Sequence, residues 1–267
     1  MKLDAGCEMV LETKSEVAAV VMLMPQTGKA QTVLRSEIEV TPGAPHHDYQ
    51  DAFGNICRRL VFPAGRSTLR ATCMAEVQDE IDVNPQAGFT LAQDLPDDVL
   101  QYLLPSRFVE SDLLVKKAHR VVKSGFFNKI EPGYQQAEAI RDWIFRKLKY
   151  KYGASGPTTS ARDTAKKREG VCRDFTHLGI ALCRALRIPA RMVVGYLHTL
   201  DPMDLHAWFE AFVGGRWYTF DATQKVAKGN RIVIAYGRDA ADVAQITEFG
   251  PMQTVSMKVW VTPAAGS

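Results

Sequence analysis

The sequence predicts an α+β chain in which a β-sandwich-like N-terminal domain, residues 1–95, precedes a second domain of helices leading into an antiparallel sheet, residues 96–267. Three observations predict it. β-branched and alternating segments fill the first hundred residues, the apolar period lengthens to three and four residues near "LPDDVLQYLLPSRFVESD", and strand-like alternation returns after Pro189.

The early strand segments are "AAVVMLMP", "TVLRSEIEVTP", "ICRRLVFPAG" and "STLRATCMAEVQD", with "DAFGN" (51–55) supplying a turn between two of them. In the second half Ala137, Ile140, Ile144 and Leu148 form one apolar helical stripe, with Trp143 beside it. Ser160 suits the N-cap and Gly170 the C-terminal stop of a short helix over "ARDTAKKRE". The next helix, about residues 172–187, is apolar nearly all round and so reads as buried, and Pro189 marks its exit. "ARMVVGYL", "HAWFEAFV" and "RWYTFDAT" follow as strands, the last two joined by Gly214-Gly215, a two-residue hairpin signal.

Apolar residues make up 46% and charged residues 24%, an ordinary globular mixture. The net charge of +3 is small, and the basic runs "AKKREG" and "FRKLKYKYG" fit solvated helix faces, so no nucleic-acid partner is expected. No segment reaches the roughly 18 apolar residues that span a bilayer. "VAAVVMLMP" (17–25) lacks a basic leader, and the expectation is a cytoplasmic protein with no membrane partner. The five cysteines, Cys7, Cys57, Cys73, Cys172 and Cys183, are widely spaced, with no CxxC pair. They suggest reduced thiols rather than a disulfide framework or a structural zinc site.

Cys172 and Cys183 share one helix but stand about 16 Å apart along its axis, too far to pair. His177 lies about 140° round the helix from Cys172, which removes a shared metal site, and no cofactor is expected. Cys172 falls in the first turn, where free N–H groups and the helix dipole favour an anion; Cys183 lies mid-helix and reads as a small hydrophobe. Across the hairpin, a two-residue turn pairs Val213 with Arg216 and makes His206 the diagonal neighbour of Asp221, within reach of a hydrogen bond. Cys172, His206 and Asp221 then follow the nucleophile, base and orienter logic of cysteine acyl transfer.

These residues sit in motifs that resemble the transglutaminase-like superfamily, in particular its bacterial members of the cysteine-protease type. The nucleophile motif is "GVCRDFTHLGIALCRALRIPARMVVGYL" and the histidine motif "DLHAWFEAFVGGRWYTFDAT"; "RIVIAYGRDAADVAQITEFGP", "DAFGN" and "LLPSRFV" extend the likeness over most of the chain. The resemblance implies a papain-like, transglutaminase-like core, with the cysteine helix packed on the sheet that carries the other two residues. It implies Cys172 as nucleophile, His206 as general base then acid, and Asp221 as orienter. Thr176 stands where the family commonly has Ala. No acidic loop suggests calcium control.

The expected activity is acyl transfer through a thioester, on a peptide or protein amide. Hydrolysis is favoured over transamidation, since nothing marks a lysine-accepting tunnel. The alternative is a binding or scaffold module that retains the fold; a zinc hydrolase would need ligands from unsupported spacings. One oxyanion donor is the Cys172 N–H, and Tyr152 is a candidate for the second. His198, Asp174 and His177 read as structural: a loop residue, a first-turn charge and a packing imidazole. Oligomeric state and the role of the N-terminal domain are not legible.

Overall fold

The computed structural model describes residues 1–123, 130–226 and 228–264. Six strands come first: β1 (Lys2–Thr13), β2 (Val17–Met24), β3 (Gln31–Thr41), β4 (His46–Gln50), β5 (Ile56–Phe62) and β6 (Gly65–Val77). Alternation decides their faces. Leu3, Ala5, Cys7, Met9 and Leu11 of β1 and Leu69, Ala71, Cys73 and Ala75 of β6 turn inward, against Ala19 and Val21 of β2 and Phe62 of β5. "DAFGN" forms the expected turn, with the Asp51 carboxylate accepting the N–H groups of Phe53 and Asn55 at 2.8 and 2.9 Å.

The helices follow: α1 (Asp97–Leu100), α2 (Val115–Lys123), α3 (Tyr134–Lys147), α4 (Ala161–Lys167) and α5 (Cys172–Ala185). Two-residue strands β7 (Lys149–Tyr150) and β8 (Glu169–Gly170) pair in parallel on either side of α4. Ala137, Ile140 and Ile144 of α3 are fully buried, as their spacing predicts. Ser160 caps α4, its hydroxyl accepting the Asp163 N–H. The helix ends earlier than expected: Arg168, at φ 59°, takes the left-handed position, and Gly170 lies in β8.

A second sheet, ordered β11-β10-β9-β12, is built from β9 (Ala190–Leu197), β10 (His206–Val213), β11 (Arg216–Phe220) and β12 (Arg231–Gly237). Helix α5 packs on it where Gly179 meets the Phe209 ring; a Cβ there would stand 2.5 Å from that ring. This is the expected core, a central helix on an antiparallel sheet.

The two halves are joined at the free edge of β12. The Asn55 side chain bonds both backbone groups of Tyr236 at 2.8 Å, and Gln31 does the same for Val233 at 2.7 and 2.8 Å. Each amide thus replaces a neighbouring strand. The last strands, β13 (Ile246–Glu248) and β14 (Met252–Pro263), return to the N-terminal half, giving sheets ordered β13-β2-β5-β4 and β14-β1-β6-β3. Residues 246–263, expected with the second half, therefore complete the first. β1 and β14 were not legible as strands. Among the described residues no helix is long and apolar enough to cross a membrane.

Candidate active site

Cys172 is the first helical residue of α5, entered through β8 and an extended Val171. Gly170 is required on the way in, because a Cβ there would lie 2.7 Å from an Asp174 carboxylate oxygen. That carboxylate accepts the Val171 N–H at 2.8 Å and the Ser155 hydroxyl, closing the first turn of the helix. Asp174 is thus the structural charge its position predicts.

The Gly214-Gly215 turn, with φ of 57° and 79°, sets Val213 opposite Arg216 and Phe209 opposite Phe220, the register that a two-residue turn requires. His206 at the start of β10 and Asp221 just after β11 then meet: His206 Nε2 lies 2.8 Å from Asp221 Oδ2, with side chains only 2% and 1% exposed. The Cys172 thiol lines the same cleft as the imidazole and helps to hold its pKa up. With Nε2 committed to Asp221, Nδ1 is the nitrogen left for the thiol. Cys172 itself is partly exposed. All three residues singled out from the sequence are thus brought together.

Asp221 has more partners than the sequence suggests. Oδ2 also accepts Arg231 Nη2 at 2.8 Å, and Oδ1 accepts the Thr223 N–H at 3.0 Å and its hydroxyl at 2.7 Å. Arg231 further donates from Nε to Lys228 O at 2.8 Å and lies 4.7 Å over the Trp208 ring, which in turn stacks on His206. Burial alone would push the His206 pKa down, but the Asp221 charge and hydrogen bond, with Cys172 behind them, hold it up at about 9. Burial would raise Asp221; His206 and Arg231 instead hold its carboxyl well below the usual range.

Tyr150 replaces Tyr152 as the tyrosine at the nucleophile. Pairing of β7 with β8 sets Tyr150 beside Gly170, with its hydroxyl close enough to Cys172 to interact electrostatically with it. Tyr152 packs edge-on against the Tyr150 ring and is more exposed. Burial, with Cys172 and Tyr152 nearby, pushes the Tyr150 pKa up, so its hydroxyl keeps its proton.

A cleft of about 290 Å³ opens beside Cys172 and His206, walled by Met192, Val194, Leu205, Val243 and Ile246. The wall formed by residues 243–246 is held from the N-terminal half: Met22 N–H donates to Gln245 O at 2.9 Å, and β13 pairs with β2. A larger cavity of about 520 Å³, between Asp79–Ile81 and His198–Thr199, contains none of the three residues, so the smaller cleft is the one placed for chemistry. His177 faces away from Cys172. Its Nε2 accepts the Ala240 N–H at 3.1 Å, its ring stacks on Phe108, and burial pushes its pKa down to about 4. Cys183 is fully buried, and burial pushes its thiol up.

Known proteins resemble this chain in sequence and in fold. The model of the transglutaminase-like superfamily matches residues 122–222, a span holding Cys172, His206 and Asp221, and that of the bacterial transglutaminase-like N-terminal region matches residues 14–78. A solved structure of a candidate cysteine protease from Cytophaga hutchinsonii is similar with a TM-score of 0.90 and 34% identity, over 100% of this chain and 92% of that one. An uncharacterised protein of Mycobacterium leprae is 28% identical over 242 residues, 84% of this chain and 83% of its own. An uncharacterised protein of Mycobacterium tuberculosis is 35% identical over 124 residues, 40% of each.

Proposed function

The chain belongs to the transglutaminase-like superfamily, and from that premise we propose that it is a thiol acyl-transfer enzyme that hydrolyses a peptide-like amide. The observation that carries the reading is the buried His206–Asp221 pair, 2.8 Å apart, beside an open cleft that both Cys172 and His206 line.

In this reading His206, in its neutral form, takes the thiol proton at Nδ1, and Cys172 Sγ attacks the amide carbon, forming the C–S bond and placing a negative charge on the carbonyl oxygen. The Cys172 N–H and the Tyr150 hydroxyl receive that charge; one such donor is worth about 10²–10³ in rate. Collapse breaks the C–N bond, and the His206 proton leaves with the amine. A water molecule, deprotonated by the now neutral imidazole, attacks the thioester, releasing a carboxylic acid and restoring the thiol. Asp221 holds the imidazole in the tautomer that keeps Nδ1 free for the thiol and steadies the imidazolium. The apolar wall of the cleft favours an apolar side chain next to the scissile amide.

The test is the rate of iodoacetamide alkylation at each cysteine against pH, mapped by peptide mass, in wild type and His206→Ala. A Cys172 that outpaces the other four thiols at neutral pH, and loses that advantage in His206→Ala, supports the reading. An inaccessible Cys172, or one indifferent to His206, refutes it and favours a scaffold role.

A further inference from the structure

Arg231 is a charged group at the site that the chemistry above leaves without a task. Both His206 Nε2 and Arg231 Nη2 donate to the same oxygen of Asp221, each at 2.8 Å, and the other oxygen is filled by Thr223. Asp221 is therefore a buried carboxylate between two cations whenever the imidazole is charged.

The catalytic cycle requires His206 to give up its proton twice, once to the leaving amine and once when the thiol is restored. If His206 were the sole counter-charge, each deprotonation would strand a carboxylate that is only 1% exposed, and the imidazolium would hold its proton against that cost. A guanidinium stays charged at every working pH. It also repels the imidazolium with which it shares an oxygen. We infer that Arg231 is a positioning residue that permanently compensates Asp221 and thereby lets the His206 proton leave. The inference rests on the triad reading above.

The charged groups around the imidazole are few. Asp221 faces it from the end of β11, Cys172 from α5, and Arg231 from β12 through the shared oxygen. Asp204 faces it from the segment before β10, and Arg141 on α3 acts on Asp221 from further away. Arg231 is the only one of these cations bonded to Asp221. A purely structural Arg231 would act through its bond to Lys228 O and its stacking on Trp208, neither of which meets a ring nitrogen of His206.

The experiment follows the His206 imidazole by NMR against pH, alongside Cys172 alkylation, in wild type, Arg231→Gln and Arg231→Lys. Loss of the charge is expected to move the alkaline titration of His206 up by about one pH unit or more; Arg231→Lys, which keeps it, should return most of that shift. A folded Arg231→Gln with an unmoved titration overturns the inference, as does an Arg231→Lys displaced as far as Arg231→Gln. If Arg231→Gln does not fold, Asp221→Asn is compared with Asp221→Asn/Arg231→Gln. The double variant should titrate higher, because the repulsion is gone, and equal values overturn the inference. Alkylation of wild-type Cys172 that ignores His206 sinks the triad reading instead, while the NMR titration still reports on Arg231.

Discussion

Two buried histidines tie the stability of this fold to pH from opposite sides. His206 has its pKa raised from 6.5 to about 9, so its contribution is fully present below pH 6.5 and is lost as pH climbs through 9. At about 1.4 kcal/mol per pH unit, that window removes about 3 kcal/mol. His177 is buried and neutral, with its pKa lowered from 6.5 to about 4. The unfolded chain takes up that proton as pH falls from 6.5, and a loss of similar size, about 3 kcal/mol, is complete near pH 4. Asp221 and Asp239, both held low, deepen the acid side further. Stability should therefore peak near pH 6.5, measured as the free energy of unfolding in urea between pH 4.5 and 8.5. Below pH 8.5 the buried thiols Cys7 and Cys73, raised to about 11 and 12, do not yet interfere. His206→Gln should be less stable at pH 6.5 and nearly flat from there to 8.5. A wild type that does not weaken above pH 6.5, or an alkaline fall that survives in His206→Gln, would refute the reasoning.

Further outcomes follow from single contacts. Tyr150→Phe should slow turnover of an amide substrate by about 10²- to 10³-fold with the fold intact, whereas Tyr152→Phe should leave the rate near wild type; equal effects would remove Tyr150 from the oxyanion site. Asn55→Ala leaves the N–H and C=O of Tyr236 unpaired in a buried joint and should cost about 2–4 kcal/mol, read by denaturant unfolding. Gly179→Ala gains up to about 1 kcal/mol of helix propensity but forces a methyl to within 2.5 Å of the Phe209 ring, and overpacking of about 1–3 kcal/mol should win, lowering the melting temperature. Ser160→Ala should lose about 1 kcal/mol with α4.

What could be read in advance was whatever local chemistry fixes by itself. The two glycines at 214 and 215 set a hairpin register, and that register alone brought His206 to Asp221. Ser160 announced its helix, and Val171-Cys172 the start of the next, because caps and first turns are local events. The rest depends on contacts remote in sequence. Arg231 meets Asp221 because β12 lies beside β9, across the sheet from β11, an order that no spacing reveals. Tyr150 and Tyr152 have the same strand period, and only the pairing of β7 with β8 tells them apart. Arg168 in the left-handed position defeats the expectation that Gly170 stops the helix. β1 passed unrecognised: its outer partner, β14, lies some 240 residues away, and its central Gly6 interrupts a strand-like reading until the Trp260 ring is seen to cover it.

The pairing of β1 with β14 also sets a timetable. Thr13 finds Met252, and Leu3 finds Pro263. A ribosome adding about 5–20 residues per second needs roughly 12–50 seconds to cover the interval. For that time the outer edge of β1 stays open, even once β6 has been made and has taken its other side. β13, which braces the cleft wall, emerges only just before β14. A nascent chain therefore completes Cys172, His206 and Asp221 about 25 residues, or roughly 1–5 seconds, before β13 can support the wall of their cleft. The cleft wall is thus the last part of the site to gain its support, once synthesis has passed β13.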